Sequence, residues 1–415
     1  MTRVAIIGGG AAGMFCAANL SPEFETTVFE AGESALRKVC ASGGGRCNFT
    51  NENVDTGNPA DFYPRGGGSL KKPFKKFGAA DARKFFGSLG VESKAEDGGR
   101  VFPACDNARA IAGALYRRAE RNGAKIEFSA RVSSIEKTAD GRLALKYTGA
   151  DKEPFDAVVV AVGGTFGGGL KESVERFGIK TVPPVASLFS LETDTAKDPA
   201  WRGLAGISLD AELAFAPESG RKIASRGSLL IAKFGIGGPA TLKFSSFGAR
   251  AFAERNYRFD FRANFAPDFD EAAVRKTIAA AREKFAKRKV ANAPLFGIPQ
   301  KLWEFLAEKS GAGETVFANL PKNAERMLAE NVSALKISAT GKSAHKEEFV
   351  MCGGVDRTEI GFSSMMSKKV GGLFFCGECL DIDAITGGFN LQAAWTEAKI
   401  CADFINEKFT QCASK

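Results

Sequence analysis

What this 415-residue chain lacks narrows the field first. Its only histidine is His345, so a multi-histidine metal site is excluded and no metal is expected. Neither a G-x-S-x-G motif nor a His-based triad is present to support hydrolysis. A second C-x-x-C is absent, which removes a zinc ribbon. No apolar run reaches the roughly 18 residues of a membrane span, and the apolar start Met1 to Ala12 is too short for a secretory leader and has no processing site after it. The nine cysteines are odd in number and irregularly spaced, which suits reduced thiols and a cytoplasmic location better than a disulfide scaffold.

What is present begins with Val4 to Gly13, VAIIGGGAAG. The run Val4 to Ile7 has the length and branching of a buried strand, and it feeds a G-x-G-x-x-G whose glycines are Gly8, Gly10 and Gly13. In this arrangement Gly8 permits the turn, and Gly10 lets the backbone approach a pyrophosphate. Ala11 and Ala12 open the helix, read as Ala11 to Leu20, and Gly13 lets it pack on its strand. A second strand, Thr26 to Phe29, ends in Glu30, the acid expected to accept the hydroxyls of an adenosine ribose. A 2′-phosphate beside Glu30 would bring two anions together, so FAD or NAD is the expected occupant. No second G-x-G-x-x-G exists for a separate nicotinamide domain.

With 44% apolar residues, a chain this long is expected to form two or three domains. The net charge of +9 reads mainly as solvated surface. The basic stretch Lys71 to Lys76 permits phosphate contact but reads as a solvated loop. Asp81 to Leu89, capped by Asp81, and Asn107 to Asn122 read as helices. Lys125 to Phe128, Arg131 to Lys137 and Leu143 to Tyr147 read as strands, with Asp140-Gly141 as a hairpin turn.

Four blocks together resemble a known family: RKVCASGGGRCNFTN at Arg37 to Asn51, GGRVFP at Gly98 to Pro103, VVVAVGG at Val158 to Gly164, and GLFFCGECLDIDAITGGFNLQAAW at Gly372 to Trp395. They are similar to those of bacterial FAD flavoproteins of the glutathione reductase superfamily, whose members carry the names aminoacetone oxidase and 3-dehydro-bile acid reductase. The resemblance implies an α/β fold, a Rossmann-like FAD-binding domain of glutathione reductase type with an inserted β domain and a small helical domain. It implies that the loop holding Arg37, Lys38, Gly45 and Asn48 runs beside the flavin, that the backbone of Val132 faces adenine, and that Gly163 and Gly164 pass near the cofactor. It further implies that Glu378 or Asp381, after Gly377, faces the ribityl chain, and that Asn390 and Leu391, after Gly388, offer backbone N–H groups to the flavin pyrimidine. The chain departs from the pattern where only Thr165 to Leu170 follow the glycine pair, and where Lys233 and Gly237 stand in place of the family's His and Ser.

From Ser187 to Phe265 the pattern is strand-like with glycine breaks, and Tyr257 to Phe261 alternates. Helical patterns follow at Phe269 to Arg288, Gln300 to Lys309 and Pro321 to Glu330. The expected organisation is 1–186 for the first part of the FAD domain, 187–265 for an inserted β domain, 266–335 for a helical domain and 336–415 for the second part. Cys376 and Cys379 form a C-x-x-C, and Cys47 lies in the loop expected beside the flavin, so a thiol–disulfide relay is one reading; the other, favoured because the pair closes a strand instead of opening a helix, is that Cys376 and Cys379 are buried small residues. The expected function is hydride transfer between a small organic substrate and flavin, with NAD(P)H or oxygen as second redox partner. The alternative is an RNA-binding or RNA-modifying flavoprotein, whose binding would weaken steeply with salt.

Overall fold

The computed structural model describes residues 1–148, 150–218, 220–343 and 350–413; His345 lies outside them. It divides into one compact unit, 1–185 with 350–415, and a second, 186–349.

The first unit is built on a sheet of seven strands among the described residues, in the order Ile360–Gly361, Met366–Ser367, Leu373–Phe375, Ala157–Val160, Arg3–Ile7, Glu25–Phe29, Lys125–Glu127. The five from Leu373–Phe375 to Lys125–Glu127 run parallel, with Val4 opposite Ala157 and Thr26, and the two at the other edge are antiparallel. Val4, Ala5, Ile6, Val158, Val159, Leu373 and Phe374 are fully buried, as parallel strands covered on both faces must be. The glycine-rich turn therefore leaves the middle of the sheet at the carboxyl end of its strand, where open α/β sheets bind ligands.

Helix Ala11–Ala17 is shorter than the sequence suggests and continues as a turn to Leu20. Its end is held by Asn122, whose Nδ2 donates to the carbonyls of Ala18 and Leu20 at 3.0 and 2.9 Å. Lys71 to Lys76 is not a loop but the end of helix Gly67–Lys76, because Leu70, Pro73 and Phe74 recur at helical spacing and are buried while the lysines point outward. Asp81 does not cap its helix: Gly78 is the N-cap of Ala79–Ser88, and Asp81 reaches back to accept the Gly78 N–H at 2.9 Å.

The second unit holds a closed barrel, in the order Leu191–Thr193, Gly235–Gly237, Ile223–Ala232, Ser208–Phe215, Phe259–Asn264, Leu335–Lys342. Its last strand lies beyond the boundary read at 335, and the alternating burial of Leu335, Ile337 and Ala339 is why it joins the barrel. The barrel strands and the helices Glu271–Lys284, Gln300–Lys309 and Lys322–Ala334 share one apolar core, so no separate helical domain stands between them. Part of that core is phenylalanine: Phe252, on helix Gly238–Ala253, stacks on Phe259 at 4.0 Å and meets Phe244 and Phe215. Phe252→Ala should destabilise this unit by about 3–5 kcal/mol. Limited proteolysis should then cut within 186–349 at a lower temperature than in wild type, and an unchanged cleavage profile would contradict the assignment of Phe252 to this core.

Candidate functional site

Gly8 has φ +109°, and its N–H donates to Phe29 O at 2.8 Å. A Cβ on Gly8 would stand 2.5 Å from Ala161 O, and one on Gly13 would stand 1.9 Å from Gly8 O. Neither position tolerates a side chain. A Cβ on Gly10 would meet nothing within 4 Å, so the backbone there is open to a ligand. The first helical bond runs from Met14 N to Gly10 O, which leaves the N–H groups of Ala11, Ala12 and Gly13 without intrahelical acceptors. Glu30 faces this turn: its Oε2 accepts the Gly9 N–H at 2.8 Å and its Oε1 the Gly32 N–H at 2.7 Å. The carboxylate is thus aimed by two glycine amides, and each oxygen keeps a further lone pair for a ribose hydroxyl. Ser129 N and Ala130 N donate to the carbonyls of Gly32 and Glu30, which brings Val132, at the head of strand Val132–Lys137, into the same neighbourhood.

The loop after Glu30 contains three successive residues in the left-handed region, Gly43, Gly44 and Gly45, with φ of 57°, 69° and 87°. A Cβ on Gly44 or Gly45 would meet nothing within 4 Å. Arg37 and Lys38 lie on helix Arg37–Ala41, both exposed, and Lys38 Nζ reaches Glu378 Oε2 at 3.1 Å. Arg46, by contrast, is engaged by protein groups, pairing with Glu96 and Asp106 and lying 4.0 Å over the Phe102 ring. Asn48 Oδ1 is buried and has no hydrogen-bond partner among the described residues.

The C-terminal return meets both of these elements. Gly377, with φ +78°, donates its N–H to Glu397 Oε2 at 2.6 Å, and a Cβ on it would stand 2.9 Å from Ala12 Cβ. Glu378 accepts the N–H groups of Gly164 at 3.1 Å and Met351 at 2.8 Å as well as the Lys38 ammonium, so it ties the Gly163-Gly164 turn to two other segments. Asp381 is more deeply buried, and Arg357 Nε stands 3.8 Å from its Oδ2. Gly388, with φ +94°, packs where a Cβ would be 2.4 Å from Thr50 O and 2.7 Å from Asn48 Oδ1. It precedes helix Phe389–Ala413, whose first intrahelical bond is Gln392 N to Gly388 O, so the N–H groups of Asn390 and Leu391 keep no intrahelical acceptor. The Asn390 side chain itself is occupied, exchanging two hydrogen bonds with the backbone of Ala384 at 2.9 and 3.1 Å.

Sequence reading missed several residues that shape this region. Arg65 and Asp383 form a buried two-point ion pair, Asn51 Nδ2 clamps Gly98 O and Gly387 O, and Tyr63 Oη donates to Phe389 O at 2.7 Å. Their only trace in the sequence is a charged or polar residue inside a glycine-rich or apolar stretch. Lys233 is exposed in the turn between strands Ile223–Ala232 and Gly235–Gly237.

The residues present fit FAD. A glycine turn open at Gly10 would take the pyrophosphate, Glu30 the adenosine ribose, and the free amides after Gly388, beside the unsatisfied Asn48 Oδ1, a polar ring edge. Residues 2–404 match the family described as HI0933-like protein Rossmann domain. The chain belongs to that family of FAD-dependent oxidoreductases. It is 30% identical over 408 residues to the ribosomal RNA dihydrouridine synthase of Haemophilus influenzae, covering 96% of each chain. It is 28% identical over 412 residues to the 3-dehydro-bile acid delta(4,6)-reductase of Clostridium scindens, covering 95% of this chain and 97% of that one. In fold it is similar to the 3-ketosteroid delta1-dehydrogenase of Sterolibacterium denitrificans, with a TM-score of 0.51 at 11% identity over 98% of this chain and all of the other.

In this family member the thiols near the return are poor nucleophiles. Burial pushes the Cys47 thiol up to about 11 and the Cys379 thiol well above its ordinary value, and Cys379 Sγ donates to Val160 O at 3.2 Å. A hydrogen bond to Cys401 lowers the Cys376 thiol, yet burial beside Cys16 and Glu397 raises it overall. Burial also raises the Glu397 carboxyl to about 8, against a smaller lowering by the Gly377 N–H. Because the fold favours protonated Glu397, stability should fall as pH rises from the ordinary carboxylate range to about 8, by at most about 1.4 kcal/mol per pH unit. Glu397→Gln should flatten that part of the curve, and thermal melts showing the wild-type slope in the variant would refute the assignment. Glu30→Ala should lower FAD affinity at least about tenfold, since charge-assisted hydrogen bonds are worth roughly 1.5–3 kcal/mol. Glu30→Gln should lose less. Fluorescence titration of apoprotein with FAD checks both, and wild-type affinity in the alanine variant would show that Glu30 does not hold the ribose.

Proposed function

We propose that the chain reduces a carbon–carbon double bond conjugated to a carbonyl, with FAD as the resident cofactor and NAD(P)H as the source of the hydride. The observation that carries this reading is that two relatives, each aligned over at least 95% of this chain, have names stating the reduction of ring double bonds, one in a uridine and one in a 3-keto acid. The two substrates share an electron-poor alkene next to a carbonyl. Reduced FAD supplies the hydride for such an alkene. The chain's own part is to hold and polarise the ring system: the free amides of Asn390 and Leu391, at a helix start, favour negative charge at the edge they face. Overall, one hydride and one proton add across the double bond, and NAD(P)H is oxidised once per alkene reduced.

Within this class we place a uracil ring in RNA first. The 30% identical relative bears an RNA name, and a chain of net charge +9 suits a polyanionic substrate better than a small acid requires. This reverses the order expected from the sequence, which put a small substrate ahead of RNA. The keto-acid reading stands second, supported by the bile-acid name of the other relative. A cytoplasmic location goes with both. The test is anaerobic stopped-flow reoxidation of the NADPH- or NADH-reduced enzyme, mixed with ribosomal RNA free of dihydrouridine or with a steroid dienone. Mass spectrometry then reads the gain of a hydrogen pair. The expected outcome is fast reoxidation by RNA and slow or none by the dienone; a reduced flavin that neither substrate reoxidises, and that reoxidises only when air is then admitted, would overturn both readings.

A further inference from the structure

We propose that a cation-lined cleft in the second unit, between helices Glu271–Lys284 and Lys322–Ala334, docks the phosphate backbone of an RNA substrate. The inference rests on the RNA reading above and adds to it the surface that holds the strand.

The cleft encloses about 430 Å³ and is lined by Arg275, Arg282, Leu320, Lys322, Glu325 and Arg326. Four of these six are cations and one is an acid. That acid is already used: Arg282 grips Glu325 Oε2 through Nε at 2.8 Å and Nη2 at 2.5 Å, and also donates to Leu320 O. The pair forms a neutral floor. Arg275, Lys322 and Arg326 are exposed above it and carry three uncompensated or weakly compensated charges. Lys322 makes no ion pair among the described residues. Arg326 stands 3.9 Å from Glu330, and the Arg275 pair with Glu271 has both side chains more than half exposed, so each is screened and readily exchanged for another anion.

The positive field continues past the cleft. Residues 271–290 hold seven lysines and arginines against two acids, and Lys284, Lys287 and Arg288 are exposed at the end of the first helix. Arg275 and Arg282 lie two turns apart on one face, about 10 Å along the axis. A strand of nucleic acid carries a charge every ~3.4 Å of axis, so the cleft spans several phosphates. A small free anion would gain little at such exposed cations, because water screens each contact. A polyanion gains the release of its condensed counterions at every phosphate neutralised, which is what a rim of separate, solvated cations can exploit.

A second cleft lacks this character. Its lining at Lys76, Lys399, Asp403 and Glu407 is balanced in charge, and Lys399 is paired with Asp403 at 2.5 Å. The nearby lysines Lys71, Lys72 and Lys75 are exposed and supply a control of equal charge.

The experiment compares holoenzyme, the triple variant Arg275→Gln/Lys322→Gln/Arg326→Gln and the control Lys71→Gln/Lys72→Gln/Lys75→Gln. Binding to ribosomal RNA is measured from about 50 to about 200 mM salt. The cleft variant should bind at least about tenfold more weakly at the low end, and its log–log salt slope should fall by about two, at ~0.7 per single-strand phosphate contact. Its FAD content and melting temperature should match wild type. Lys322→Glu alone should show the same direction of change, and it carries the test should the triple variant fold poorly. The control should bind as wild type does. A cleft variant with wild-type affinity and slope would overturn the cleft assignment and leave the RNA reading standing, as would an equal loss in the control, which would mean diffuse surface charge. A wild-type enzyme that binds no RNA at low salt would remove the RNA reading and this inference with it.

Discussion

One carboxylate, Glu378, gathers the parts of the cofactor region that lie furthest apart in the chain. It accepts N–H groups from Gly164 and Met351 and faces the Lys38 ammonium, so the helix after Glu30, the turn after the central strand and the returning segment share one anchor. Around it the approach distances leave no room for side chains. Gly377 sits against Ala12, Gly8 against Ala161 and Gly388 against Thr50 and Asn48. The glycines thus serve assembly as much as ligand access: the backbones must touch before the amides that would face a cofactor come into one place. Glu397 extends the same logic from behind, holding Gly377 through a buried carboxyl that the fold keeps protonated.

The parts legible in the sequence were those encoded over short distances. A strand, three glycines at fixed spacing, a helix and a terminal acid form one local unit, and Val4 to Glu30 fold as that unit because each step depends on its neighbours. The side-chain partners of Glu30, Asn390 and Arg46 were not legible, since they lie on the amides of Gly9 and Gly32, on Ala384, or on Glu96 and Asp106. The closing strand Leu335–Lys342 was hidden for a related reason: it follows directly on a helix with no turn residue between them, although its own alternation is that of a strand. Lys71 to Lys76 shows the opposite error, where a proline and glycines suggested a loop but Leu70 and Phe74 had the spacing of a buried helix face.

The cysteines illustrate how burial separates a motif from its chemistry. Cys376 and Cys379 have the spacing of a redox pair, yet Cys379 is committed to backbone carbonyls and both thiols are raised, which suppresses the thiolate that exchange requires. The strand end needs small side chains that pack without voids, and cysteine meets that need.

The two relatives differ in the substrates their names state, one an RNA and the other a bile acid, yet each aligns with this chain over at least 95% of its length and over nearly all of its own. Neither alignment leaves room for a large added domain, so both named activities go with chains of about this length. In this chain the cofactor region is dense with backbone contacts that admit little variation, and the glycine positions above are constrained to within a single Cβ. The surface of the second unit carries no such constraint: Arg275, Lys322 and Arg326 are exposed and can change with little loss of stability. The proposed docking surface is therefore freer to vary than the glycine-lined region.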